Sequence, residues 1–247
     1  MAVPASWLPY CGAAPVPAEI MARWNFDPWL VAALALATIA YWIRSRGFAA
    51  RRLRFGIAFF LLLVLFISPL CALSSALFSA RVVHHVLLGS VVAPLLVAAF
   101  PEKMRAPGSL AAWTGAQALV FWSWHSPPAY SWALSNDAAY WLMQASLLGT
   151  SIGFWAALRR SPMPSAVAAL LATTVQMGLL GALLTFAGAP LFAPHYLGTA
   201  AWGLSPLQDQ QAAGLIMWAP AAGFYLAAAL MVAGRWIGRD PRPAAAR

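Results

Sequence analysis

The sequence predicts an all-α integral membrane protein: a bundle of seven transmembrane helices with the N-terminus outside and the C-terminus in the cytoplasm. Composition, the spacing of apolar runs and the placement of basic residues carry that expectation. Of 247 residues, 62% are hydrophobic and only 9% are charged, far from the soluble balance of roughly half apolar and a quarter charged. A helix crosses about 30 Å of hydrocarbon with roughly 20 apolar residues. Glycine, proline and arginine clusters cut this chain into runs near that length.

Hydropathy places the spans at 28–43, 55–78, 82–100, 110–125, 138–158, 165–187 and 211–233. Backbone groups in lipid must be satisfied within their own segment, and the alternation of a β-barrel is absent, so these are helices. The first span ends at RSRGFAARRLR, the third at EKMR, the fourth at a histidine and a double proline, and the fifth at RR. Residues 28–236 form one membrane domain, preceded by a proline-rich outer segment, 1–27, and followed by a basic cytoplasmic tail, 237–247. The opening residues do not look like a secretory signal peptide and are expected to stay on the mature protein. No internal repeat is evident, which weakens a transporter built from inverted halves.

A formal charge of +9 does not mark a nucleic-acid partner, because the basic residues are scattered over short loops and not gathered on one face. Thirteen of the 15 lie in the three loops named above or near the C-terminus. Only Arg23 and Arg81 fall to the alternate side, so the positive-inside rule sets the orientation.

With that topology the polar chemistry sorts to the outer side. His84 and His85 open the third span, His125 closes the fourth, and His195 lies in the loop before the seventh. Adjacent helical residues point about 100° apart, so His84 and His85 cannot easily serve one ion from one face. One of them can instead be a supporting group, or sit with Arg81 among lipid headgroups. A lone interfacial histidine is ordinarily just a hydrogen-bonded polar residue. Four on one side favour ligands, since ionisable groups at membrane depth are functional candidates. His125 suits copper or zinc as a neutral imidazole, while Trp122, Trp124 and Trp132 beside it read as interfacial anchors.

Asp209 and Met217 stand eight residues apart and share a helix face. The plain alternatives are an N-cap for the carboxylate and packing for the thioether. Tyr140, Met143 and Gln144 share a face of the fifth span, where packing and interhelical hydrogen bonding are the default. Cys11 and Cys71 are too few and too far apart to declare a disulfide framework or a zinc site. Together the Cys, Met and His donors suit copper better than magnesium or calcium. No nucleotide motif, phosphate loop or Ser/His/Asp set accompanies them.

At DQQAAGLIMWAP, with FWSWHSPPAYSWAL and FSARVVHHVLLGSVVAPLL, the chain resembles the CtaG-type cytochrome c oxidase assembly factors, over most of its length. YCGAAPVP followed by RWNFDPW is similar to the N-terminal segment of the proteobacterial branch. The matching positions are His85, His125, Asp209, Gln210, Gly214, Met217 and Trp218. The chain departs from the family pattern at Arg81, where relatives have histidine, and at Tyr140 and Gln144, where they have a paired H-x-x-x-H. The resemblance implies a multi-pass protein of the bacterial inner membrane that helps install copper in the catalytic subunit of a haem–copper oxidase.

The resulting expectation is a non-enzymatic factor whose outward site takes copper(I) and passes it on by ligand exchange. His85 and His125 are the core ligands; Cys11, His195 and Met217 are exchange ligands, Asp209 positions the site and His84 is the weakest candidate. The partners expected are the oxidase catalytic subunit, periplasmic copper chaperones and the lipid bilayer, with no nucleic acid. The rival readings are a membrane redox protein with axial haem histidines and a copper or small-solute transporter. The scarcity of polar residues in the inner halves of the spans speaks against the transporter.

Overall fold

The computed structural model describes residues 8–45, 49–101 and 107–238. The described residues are helical with no strand. The basic residues at 46, 103 and 105 and those of the tail beyond 238 lie outside the described residues.

Helix α1, Pro28–Arg44, starts where the Asp27 carboxylate accepts from Leu30 N at 2.9 Å with proline in the first turn, a standard start signal. Helices α2, Ala49–Phe66, and α3, Pro69–Ala76, are one apolar run bent by 48°. Pro69 has no N–H to donate and restricts Ser68 before it, so the helix breaks and restarts with Ser68 as its cap. The second expected span is therefore broken.

Helix α4, Phe78–Ala99, runs through a π-helical turn at Leu88–Val92. Pro94 lies just beyond this turn; the missing N–H and the ring's bulk displace the regular ladder there. Trp155 donates its indole N–H to the Gly89 carbonyl inside the widened turn at 3.0 Å. Then follow α5, Leu110–Trp124, the short α6, Pro127–Ala133, and α7, Asp137–Leu158, capped by Asn136. Helix α8 is Met163–Thr185, and α9, Pro206–Ile237, opens on a Ser205–Gln208 capping box. Pro220 sits in a second π-helical turn, Met217–Ala221.

Each of the seven expected runs is helical, but their bounds differ. The seventh begins at Pro206, because Ser205 and Gln208 cap it earlier than hydropathy alone would place it. Among the described residues three helices qualify by length and apolarity as membrane spans, α4, α8 and α9, and the bent α2–α3 pair makes a fourth. Along α8, Val175, Leu179 and Leu183 are all exposed at i, i+4, i+8. Such a stripe is a liability in water and a natural surface against hydrocarbon.

Helices α8 and α9 pack against each other along their length, and glycine sets the spacing. A Cβ at Gly181 would come within 2.7 Å of the Gly214 carbonyl oxygen, and one at Gly214 within 2.6 Å of that of Gly181. Close backbone approach through small residues is the usual device for membrane helices. It fixes the start of α9, and with it Asp209 and Gln210.

Candidate functional site

The polar residues singled out by the sequence converge at the end of the bundle where α3 ends and α4 and α9 begin. Asp209 of α9 holds α4 in place there: its carboxylate accepts from Phe78 N at 2.6 Å, from Ser79 N at 3.2 Å and from the Ser79 hydroxyl. Asp209 is thus a helix cap, but for α4 and not for its own helix, whose cap is Ser205. Gln210 beside it accepts from Leu191 N at 2.7 Å and so ties down the loop that carries His195.

Two turns along α4, His84 and His85 are both buried, 0% and 6% exposed. Their divergence is as expected, but neither reaches the lipid. His84 sets its ring edge-on to Phe66, with centroids 4.8 Å apart, and neither ring nitrogen has a hydrogen-bond partner. His85 turns to α5, where its ring and that of His125 are 5.8 Å apart and nearly perpendicular. His125 ends α5. Its Nδ1 lies 2.7 Å from the Phe121 carbonyl, so that nitrogen carries the proton and Nε2 keeps its lone pair. Gln144 of α7 meets His85 Nε2 at 3.4 Å. With the amide turned round, its carbonyl would accept the Nε2 proton and leave Nδ1 open.

Arg81 corrects an expectation. The sequence places it in an outer loop or among the headgroups, yet it lies in α4 and is 0% exposed. A helix that begins at Phe78, earlier than hydropathy placed it, carries Arg81 inside the bundle. Its guanidinium carbon stands 5.3 Å from the centre of the Tyr140 ring. Tyr140, Met143 and Gln144 are buried, as the reading of that helix face expected.

His195 is buried in the short 3-10 turn Ala193–His195, and its Nε2 meets the Tyr130 hydroxyl at 2.7 Å. Burial drives its pKa down from an ordinary 6.5 to about 3, with the Arg81 charge adding to the effect. Burial likewise raises Tyr130 above the usual phenol range. The unfolded chain therefore binds a proton below about pH 6.5 that the folded protein refuses until about pH 3. Stability is expected to fall as pH drops through that window, by at most about 1.4 kcal/mol per pH unit from this group. Urea midpoints across pH 7 to 4 check this, and His195→Phe should flatten the slope.

Cys11 is joined to Cys71 across 60 residues with Cα atoms 5.4 Å apart, and its sulfur touches the Tyr140 hydroxyl at 3.7 Å. The bond ties the N-terminal segment to α3. In this oxidised form Cys11 has no thiolate to offer. The same segment is held by Trp202, whose indole donates to the Pro15 carbonyl at 3.0 Å. Tyr10 stacks on Tyr140, and burial pushes its phenol up to about 12.

Met217 is fully buried in the π-helical turn of α9 and packs on α8 near Gly181; Trp218 beside it is half exposed. Among the described residues no three His, Cys, Asp or Glu side chains converge as a finished metal site. Deeper than the histidines, a cavity of about 20 Å³ is lined by His85, Ser90, Gln117, Ser151 and Tyr225, among others. That volume holds about one water molecule, so polar groups reach further into the bundle than the sequence suggested.

Fold and site together define an all-helical membrane protein with a buried cluster of histidines, one arginine and tyrosines near one end. The family model of the cytochrome c oxidase caa3 assembly factor, Caa3_CtaG, matches residues 32–119 and 111–239, and the chain belongs to that family. Comparisons with curated proteins and with solved structures returned no match.

Proposed function

We propose that this assembly factor is non-catalytic and carries copper(I) to the catalytic subunit of a haem–copper oxidase, working from the periplasmic side of the bacterial inner membrane. The observation that supports the reading is the pairing of His85 and His125. They come from different helices, are buried, stand 5.8 Å ring to ring, and His125 has one nitrogen held by its own helix. Neutral imidazoles so oriented are good copper ligands. A ligand set of two is incomplete, and an incomplete set lets a partner's ligand enter and take the ion away. Of the three departures from the family pattern, Gln144 meets His85 at 3.4 Å, and Arg81 lies over the ring of Tyr140, on the same helix as Gln144. Cys11 joins the set only where its disulfide is reduced, and His195 and Met217 serve as exchange ligands along the route.

Metal analysis of protein purified under reducing conditions tests the reading. About one copper per chain, halved or worse in a His85→Ala, His125→Ala double variant, is the expected result. Absence of copper from protein loaded with copper(I) would sink it, and a Soret band in the visible spectrum would favour the haem reading.

The seven-span topology, N-terminus outside, supplies the siding, and it rests on the 13 basic residues of alternate loops. Cysteine labelling is expected to reach position 135 from the periplasm and position 45 only after the membrane is opened. The reverse pattern would put the histidines on the cytoplasmic side.

A further inference from the structure

We propose that the buried Arg81 guanidinium binds a small monovalent anion of the halide class. Arg81 is 0% exposed, and among the described residues none of its three guanidinium nitrogens has a hydrogen-bond partner. The Tyr140 ring covers one face, which leaves the donors along the edges of the fork without an acceptor.

Among the described residues, His84, His85, His195, Tyr130 and Tyr140 respond to the Arg81 charge, and none of these five is a carboxylate. The Tyr130 and Tyr140 hydroxyls lie near enough to interact with the guanidinium, but neither completes a hydrogen bond of good geometry to it. Asp209, the buried carboxylate at this end of the bundle, spends its oxygens on the start of α4.

A guanidinium cannot shed its proton, and burying an unpaired charge is strongly unfavourable. An aromatic face offsets only part of that cost. Water could fill the donors but would not neutralise the charge. An anion does both, and full burial of Arg81 restricts it to one of a few atoms. His84, with both ring nitrogens unpartnered, can turn an N–H to the same guest.

The inference does not depend on copper, so its test uses copper-free, full-length protein in lipid nanodiscs, with bromide as the probe. Crystals grown in bromide should show anomalous density within hydrogen-bond distance of the Arg81 guanidinium. Replacing gluconate by bromide at constant ionic strength should raise the unfolding midpoint. At bromide about 100 times its dissociation constant, the folding equilibrium shifts about 100-fold. Arg81→Gln should erase that shift. Density showing waters alone, or an equal bromide effect in wild type and Arg81→Gln, overturns the proposal. Should the variant not fold, the bromide density in the wild-type protein decides the question by itself. Anion binding with no copper uptake would leave this site standing and remove the copper reading; the converse result would do the opposite.

Discussion

Cells that carry His85→Ala or His125→Ala are expected to make an oxidase depleted in copper, with activity lower by on the order of tenfold or more, the range seen when a metal site loses a supporting or ligating group. The level of the assembly factor itself should stay near normal for His125, because its ring lies at the end of α5 and its Nδ1 bond is local to that helix. His84 behaves differently. Its ring fills space against Phe66, so His84→Ala should reduce the amount of folded protein through a cavity. His84→Leu, which keeps the volume, should restore both protein and oxidase copper. Copper per oxidase, measured beside immunoblots of the assembly factor, separates these outcomes. Normal oxidase copper with His85 and His125 both replaced would remove them as ligands.

Asp209→Ala is expected to destabilise the protein by several kcal/mol, on the basis of about 1–3 kcal/mol for each buried donor left unpaired. The carboxylate serves two backbone N–H groups and a hydroxyl at the start of α4, in the first turn, where amides lack a partner within their own helix. The helix that carries Arg81, His84 and His85 begins at that point, so loss of the cap should also scatter the site. Asp209→Asn keeps one acceptor and should fall between wild type and alanine. Unfolding midpoints in detergent give the ranking. An alanine variant as stable as wild type would show that the cap contributes nothing.

The helical runs and the end of the fourth at a histidine and double proline are legible in the sequence, whereas the break at Ser68–Pro69 and the caps Asp27, Asn136 and Ser205, though local in chemistry, lie outside what hydropathy alone reads. Membrane character follows from composition, since a chain 62% hydrophobic and 9% charged cannot cover itself with polar surface. The candidate ligands were visible as residue types, and the divergence of His84 and His85 follows from 100° per residue. These features depend on neighbours within one or two helical turns.

Tertiary structure alone decided which distant groups meet. Asp209 is an acid at a helix start in the sequence, yet it caps a helix 131 residues away. Cys11 and Cys71 are sixty residues apart and become one bond. Arg81 reads as an interfacial cation until packing buries it against Tyr140 of α7. Gln144 gains meaning only opposite His85. The physical reason is common to all four: periodicity and backbone chemistry act over a few residues, whereas burial, pairing and ligand distance depend on how whole helices pack, and that is fixed by close contacts such as Gly181 on Gly214.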